Sequence, residues 1–205
     1  MNKNLSRSFV FGVLLFAVLG CSLVNKIQKE VAKTQTPQTL TAADGSCQIT
    51  VPGDWKTLPE LNAEATLQAG NLFGERYIVV IREGKEDYGK KADLNFFTNL
   101  VRDNFKQMAA EPVLSEPVSV NINGYAAQQF EAGGEVDNIK VKYLYATVET
   151  PANFYQIITW TLSSRYVENK PIFSEVINSF KELDGQMSDS QNSNTVNRYS
   201  NSVNK

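Results

Sequence analysis

The residues whose types and spacing most clearly imply chemistry stand at the end of the first apolar run, where Gly20 precedes Cys21. A small residue there lets a signal peptidase cut, and the cysteine thiolate accepts a lipid. The apolar run, Phe9–Leu19, has eleven residues, whereas a bilayer-spanning helix needs about 20. The pattern therefore predicts a signal peptide over residues 1–20 and a lipid on Cys21. The alternatives are an ordinary secretory signal or an uncleaved anchor.

A second group with chemical potential is the trio of carboxylates Glu131, Glu135 and Asp137. They bracket the two glycines of the segment 132–138, which predict a turn. Three carboxylates at one turn could hold calcium. Their spacing does not match the EF-hand loop, and solvated charges at a hairpin tip are the alternative explanation. The three residues are therefore weak metal-site candidates, and no cofactor is predicted.

Two lysines, Lys140 and Lys142, alternate with apolar residues just beyond that segment. The alternation predicts either a small binding strip or a strand with one solvated face. Cys47 is the second of two cysteines, and it has no intrachain partner once Cys21 is lipidated. It could be a reactive thiol or a buried small side chain, and we expect the latter because no nearby residue would lower its pKa.

The composition excludes several functional classes. Histidine is absent, which removes Ser-His-Asp and Cys-His catalysis and imidazole metal ligation. We therefore expect no enzyme, with a histidine-independent hydrolase using Ser and Lys as a remote alternative. Without residues 1–20 the chain keeps 18 basic and 22 acidic side chains, a net charge of −4. This mildly acidic balance argues against a nucleic-acid partner.

The chain is expected to have four parts. A linker over residues 21–45 follows the signal peptide, then one globular domain over 46–183, then a Ser/Asn-rich tail over 184–205 that is too polar to order itself. In the domain, apolar periodicity and turn signals predict strands, a helix, four antiparallel strands and a final helix, which is an α+β fold. The predicted strands are 46–51, 63–70, 76–82, 113–122, 125–131, 139–149 and 153–163, and the predicted helices are 92–110 and 171–180.

Two short sequences carry a resemblance. The first is the strand, turn and tryptophan ITVPGDW, whose markers are Pro52, Gly53 and Trp55, and the second is FSEVINSFKEL in the last helix. With a Phe-rich helix and a β-meander between them, they resemble the PsbP-like family. The resemblance implies a central antiparallel sheet of six or seven strands flanked by helices in an α/β/α sandwich. The markers are structural: we expect Trp55 to pack against the core.

The resemblance also implies a non-enzymatic role. Photosynthetic members of the family help retain calcium and chloride at the oxygen-evolving centre or assist photosystem assembly. This chain lacks the histidine proposed for metal sites in those members and has an additional tail, so no binding residue is carried over. We expect a membrane-anchored assembly or stability factor for a membrane protein complex, photosystem II being one candidate. It would face the periplasm, the cell exterior or the thylakoid lumen. The alternative is an envelope lipoprotein that binds a small ligand or a metal.

Overall fold

The computed structural model of the protein describes residues 36–89 and 91–183. The predicted signal peptide, Cys21, the linker up to residue 35 and the tail from residue 184 lie outside these ranges. Contacts divide the described residues into two units, residues 36–38 with 51–54 and residues 39–50 with 55–89 and 91–183. In the first unit, the Gln38 side-chain amide donates hydrogen bonds to the carbonyl oxygens of Pro52 and Gly53, both at 3.4 Å.

The described residues form strands arranged in two sheets, together with two α-helices and short 3-10 turns at Lys85–Tyr88 and Ser163–Arg165. The helices are α1 (Leu94–Met108) and α2 (Tyr166–Asn178). The strands are β1 (Gln38–Thr41), β2 (Cys47–Val51), β3 (Lys56–Thr57), β4 (Leu67–Asn71), β5 (Arg76–Gly84), β6 (Ala110–Leu114), β7 (Val118–Ile122), β8 (Tyr125–Val136), β9 (Ile139–Glu149), β10 (Asn153–Leu162) and β11 (Lys181–Glu182).

The main sheet has eight strands in the order β3-β4-β5-β10-β9-β8-β6, and β7 also pairs with β8. Its pairings are antiparallel. A smaller sheet has the order β1-β2-β11. The α+β class and the antiparallel sheet are thus confirmed, and the main sheet has one or two strands more than expected.

The two helices cover opposite faces of the main sheet. The Phe154 ring on β10 stacks on Phe97 of α1 with a centroid distance of 4.6 Å. The next residue, Tyr155, instead packs against Phe180, which lies two residues after α2, at 4.8 Å. Because successive side chains of a strand point to opposite faces, α1 and α2 lie on opposite sides, as the expected sandwich requires.

Two features stabilise helix α1, a capping residue at its start and an apolar stripe along one side. Asp93 caps its start by accepting a hydrogen bond from the backbone N–H of Phe96 at 2.8 Å. Phe97, Val101 and Phe105 recur at helical spacing and are buried. The helix ends at Met108, two residues earlier than predicted, because the chain enters β6 at Ala110.

The predicted linker was wrong at its end. Strand β1 lies inside residues 21–45, begins eight residues before the predicted domain start at residue 46, and joins the smaller sheet. Its side chains alternate between half-buried and exposed, with Gln38 and Leu40 on the half-buried side. An edge strand with one wet face has a composition close to that of a linker, which is why composition alone missed it.

The predicted turn at 132–138 was also wrong. Strand β8 continues through Gly133 and Gly134 to Val136, and the turn is the pair Asp137–Asn138, with φ of 52° and 63°. Asp and Asn tolerate this left-handed conformation. A Cβ on Gly134 would lie 2.9 Å from the Ala110 carbonyl oxygen, so this glycine serves a close backbone approach.

Two further boundaries differ from expectation. The predicted strand 113–122 is two strands, β6 and β7, separated by residues 115–117, and both pair only with β8 at the sheet edge. Pro112 and Pro117 suit this edge position, because proline cannot donate a hydrogen bond to a neighbouring strand. Helix α2 begins at Tyr166 directly after a 3-10 turn, so Pro171 lies inside the helix. Proline there removes the hydrogen bond that its N–H would have donated to the Val167 carbonyl.

Candidate functional site

A cleft of about 460 Å³ opens over β6, β8 and β9, and no residue of α2 lines it. It lies on the face that α2 covers, because Glu131 beside it contacts Lys170 of that helix. The lining combines apolar side chains, glycines and charges of both signs. The sheet cleft, as we call it, is lined by Glu111, Val113, Leu114, Ser115, Glu131, Gly133, Gly134, Glu135, Lys140, Lys142 and Ser163.

The floor of the sheet cleft is open because Gly133 has no side chain. This residue pairs with Lys142 on β9 and with Val113 on β6. A Cβ added at Gly133 would meet the Val141 carbonyl oxygen at 3.7 Å and the Lys142 Cγ at 3.8 Å, which are ordinary contacts. A side chain here would therefore fill the cleft without displacing the backbone.

Beside this floor, one carboxylate pairs with two lysines. Glu131 Oε2 lies 2.9 Å from Lys142 Nζ, and Glu131 Oε1 accepts a hydrogen bond from Lys170 Nζ at 2.7 Å. Burial of Glu131 opposes its ionisation, but the hydrogen bonds and charges of the two lysines outweigh this, so its pKa is lowered. Glu131 is thus ionised at neutral pH and fixes both ammonium groups.

Tyr166, the first residue of α2, completes the group. Lys142 Nζ lies 4.6 Å from the centroid of its ring, within cation–π range. The buried Tyr166 hydroxyl has no well-aligned hydrogen-bond partner among the described residues. Burial and then the negative charge of Glu131 raise the pKa of this phenol. The hydroxyl is therefore a neutral group held close to the carboxylate.

The predicted carboxylate site is not assembled by the fold. Glu131 and Glu135 stand four residues apart on one extended strand, so their Cα atoms are about 13 Å apart. Asp137 lies in the turn beyond them. Within residues 36–89 and 91–183, no group of three or more Cys, Asp or Glu side chains could hold a metal ion. The segment is a strand rather than a turn, so these carboxylates do not converge.

A smaller cavity of about 240 Å³ lies around Glu182 of β11. One oxygen of that carboxylate, Oε1, accepts hydrogen bonds from the Thr150 hydroxyl at 3.0 Å, the Asn153 amide at 2.9 Å and the Tyr155 hydroxyl at 3.1 Å. Burial and then the charge of Glu182 raise the pKa of Tyr155. The three donors tie β11 to the β9–β10 turn, which is a structural use of the carboxylate.

Three described side chains that could act as nucleophiles, those of Cys47, Ser46 and Ser179, are held by structural contacts. Cys47 is fully buried and not in a disulfide, and burial raises the pKa of its thiol to about 11, so it is protonated at neutral pH. The expectation of a buried small side chain is confirmed. The hydroxyl of Ser46 donates to Asp44 at 2.6 Å and that of Ser179 to the Val176 carbonyl at 2.6 Å. Neither hydroxyl is paired with a lysine that could activate it.

The tryptophan of the ITVPGDW marker has the expected packing role. Trp55 is fully buried, and its ring meets Phe173 of α2 edge-to-face at 6.5 Å. Phe173 is in turn in contact with Tyr166 at 6.5 Å. The first marker and the last helix, which are 118 positions apart, therefore meet in one aromatic cluster.

No protein-family model and no curated protein sequence matches this chain. Solved structures do match. The solution structure of cyanobacterial PsbP (CyanoP) from Synechocystis sp. PCC 6803 superposes with a TM-score of 0.52 at 16% identity, over 73% of this chain and 94% of that one. This chain has the PsbP-like fold.

Two other proteins share the PsbP-like fold with it. LpqN, involved in cell envelope biogenesis of Mycobacterium tuberculosis, matches with a TM-score of 0.54 at 15% identity, over 72% of this chain and 91% of that one. A mutant of the protein Mog1 matches with a TM-score of 0.51 at 13% identity, over 73% and 97%. At such identities the likeness extends to the fold alone. It confirms the resemblance carried by ITVPGDW and the last helix.

The sequence predicted part of the sheet cleft of this PsbP-like domain. Lys140 and Lys142 were predicted to form a binding strip or one solvated strand face, and both line the cleft. Gly133 was instead assigned to a turn, and the contribution of Lys170 was missed. The pairing of Glu131 with Lys170 spans 39 positions, and no local signal marks it.

Proposed function

We propose that this chain is a membrane-tethered, non-catalytic lipoprotein that contributes to the assembly or stability of a membrane protein complex. The tether is the lipid on Cys21, supported by the signal-like run before it. Among the described residues, no helix has the length and hydropathy needed to cross a membrane. A segment of a protein in that complex would bind in the sheet cleft.

The observation that carries the proposal is the makeup of the cleft. Val113, which is 72% exposed, gives it an apolar wall, and Gly133 leaves the floor free. Lys140 is exposed at the rim, where it can pair with an acidic side chain of the bound segment. Such a surface of mixed charge with an apolar centre is typical of a protein contact site. An extended segment with an apolar residue and a neighbouring acid would match it.

One structural neighbour supports an envelope setting. LpqN is described as involved in cell envelope biogenesis. We propose the same kind of setting here, with the domain facing the periplasm, the cell exterior or the thylakoid lumen. Photosystem II is one candidate complex.

A second candidate function is binding of a small molecule by an envelope lipoprotein. The volume of the sheet cleft, about 460 Å³, falls within the range of small-molecule sites, roughly 300–1,000 Å³. Thermal-shift screening of the full chain against small molecules and divalent metals separates the two candidates. Stabilisation by one compound, abolished in Gly133→Leu, would favour the second.

Affinity capture from detergent-solubilised membranes tests the leading proposal. The wild-type chain is compared with Gly133→Leu, which fills the cleft floor through ordinary contacts, and with Ser119→Leu on the exposed edge strand β7. We expect the wild type and Ser119→Leu to recover the same membrane complex and Gly133→Leu to lose it. Equal recovery by all three would exclude the cleft as the binding site, and recovery of no partner would contradict an assembly role.

Intact-mass measurement tests the tether, which an unmodified Cys21 would disprove.

A further inference from the structure

The hairpin between β4 and β5 exposes two apolar side chains at its tip. Leu72 is 61% exposed and Phe73 is 98% exposed. Isolated exposed apolar residues are common on protein surfaces. Two adjacent ones at a convex tip, one of them an almost fully exposed phenylalanine, are a different case, because nothing in the fold gains from their position.

The tip has a defined structure. The Asn71 side chain accepts a hydrogen bond from the Gly74 backbone N–H at 2.6 Å, and the Glu75 N–H donates to the Leu72 carbonyl at 3.4 Å. Glu75 Oε2 also lies 3.3 Å from Arg165 Nε. These contacts hold Phe73 in its outward position, so its exposure is a feature of the folded hairpin.

The contact with Arg165 connects the tip to the start of α2. We call Leu72 and Phe73 the tip patch. Its neighbouring charges are balanced, with Arg165 and Arg76 on one side and Glu75 and Glu168 on the other. An apolar tip with charged neighbours suits the boundary between acyl chains and headgroups.

The size of the patch distinguishes a bilayer from a protein as its occupant. A stable protein interface covers about 800 Å² on each partner and 20–30 residues, far more than two side chains at a hairpin tip can supply. Insertion into a lipid interface has no such minimum area, since each buried apolar group contributes by itself.

We propose that the tip patch inserts into the interfacial region of the bilayer that holds the lipid anchor. This inference rests on the proposed lipidation of Cys21. Residues 22–37 separate that cysteine from β1, and a chain of this length reaches at most about 53–58 Å. The tether therefore keeps the tip at a high effective concentration near the membrane, and this turns a weak insertion into a populated one.

Insertion would fix the orientation of the main sheet. The β9–β10 turn lies at the other end of β5, where Asn153 pairs with Gly84, whereas the tip precedes Arg76. Arg76 and Gly84, the two ends of the nine-residue strand β5, are therefore about 26 Å apart. With the tip in the headgroups, the β9–β10 turn would lie well out in the water.

Fluorescent labelling tests this geometry. An NBD dye is attached to the full lipidated chain through Phe73→Cys or, as the matched control, through Ala152→Cys in the exposed β9–β10 turn. Cys47 is fully buried and does not compete for the dye. The chains are reconstituted in vesicles of phosphatidylcholine and phosphatidylglycerol, with or without a lipid that carries a quencher on its acyl chain. Flotation of the vesicles reports the anchor independently.

We expect the dye at position 73 to shift to the blue and to lose most of its emission to the quencher, and the dye at position 152 to do neither. Equal, water-like emission from both positions in floated vesicles would overturn the inference and leave the lipid anchor intact. A blue shift at position 73 in native membranes but not in protein-free vesicles would also overturn it, because the occupant would then be a protein. Failure to float would disprove the anchor itself.

Discussion

The two faces of the β8–β9 ribbon differ sharply, although alternate residues of the same two strands form them. Under α1, Phe130 of β8 stacks on Tyr145 of β9 at 4.9 Å, and Phe105 of the helix meets Tyr145 edge-to-face at 5.9 Å. On the other face, Gly133 and the Glu131–Lys142 pair border an open cleft. The face under α1 carries a dry aromatic layer. The opposite face is accessible and charged only at this cleft, because further along it Leu144, Ala146 and Val148 are buried.

The difference teaches where each property resides. Stability should come from the aromatic layer, because buried rings lose their packing and their transfer free energy when truncated. The charged pairs at the cleft should contribute little, because they are partly solvated. The cleft can therefore vary while the buried layers preserve the fold.

The largest expected effect is on the aromatic face. Phe97→Ala should lower the free energy of unfolding by about 3–5 kcal/mol, because it removes a fully buried ring stacked on Phe154. Chemical denaturation followed by circular dichroism measures this. The neighbouring residue provides the control: Phe96 is 48% exposed, and Phe96→Ala should cost less than about 1 kcal/mol. Similar losses for the two variants would contradict the division of the faces.

The second prediction concerns the polar contact inside the aromatic face. The hydroxyls of Thr98 on α1 and Thr147 on β9 lie 2.6 Å apart and are buried. Thr98→Val should cost about 1–2 kcal/mol, because it leaves the Thr147 hydroxyl with only the Gln128 carbonyl at 3.5 Å. The double variant with Thr147→Val should cost less than the sum of the single variants. A double-mutant cycle in urea measures this coupling, and strict additivity would show that the contact has no energetic role.

The smallest expected effect is on the cleft face. Glu131→Gln should lower the free energy of unfolding by roughly 1 kcal/mol at neutral pH, because it removes two partly exposed ion pairs. The folded-state pKa of Glu131 is lowered from 4.5. Its contribution is therefore present above that value and is lost as the pH falls through the folded-state pKa.

Urea unfolding at pH 7 and pH 3 tests this pH dependence. The difference between the wild type and Glu131→Gln should be present at pH 7 and smaller at pH 3. Glu64→Gln, at an exposed loop position, is the control and should show no comparable difference. An undiminished effect of Glu131→Gln at pH 3 would mean that packing, and not charge, accounts for it.

The sequence predicted the elements whose signals are local. The spacing of Phe97, Val101 and Phe105 predicted α1 and its buried stripe, and Asn123-Gly124 predicted the two-residue turn between β7 and β8. The apolar run of β5 predicted a buried central strand, and Ile78 to Val80 are buried between β4 and β10. Each of these signals depends on residues within a few positions of one another.

The errors arose where distant contacts decide the structure. Gly133 and Gly134 resembled a turn, but Gly134 is there because Ala110 approaches it and Gly133 because the cleft is open. The sequence of strand β1 resembled a linker, because β1 is a strand only through the sheet it forms with β2 and, beyond it, β11. Lys170 pairs with Glu131 only after α2 has packed on the sheet. No local pattern contains this information, since the fold itself supplies it.

The smaller sheet can be completed only late in folding. Its middle strand, β2, pairs Cys47 with Glu182 of β11, which stands 135 positions later. A chain that emerges amino end first, from a ribosome or through a translocation pore, therefore cannot complete this sheet until almost all of it has passed. Until then β2 has only β1 as a neighbour, and its other edge lacks a partner while the aromatic layer forms from residues closer together. Slowing the passage of the chain should prolong the exposure of this edge and increase aggregation.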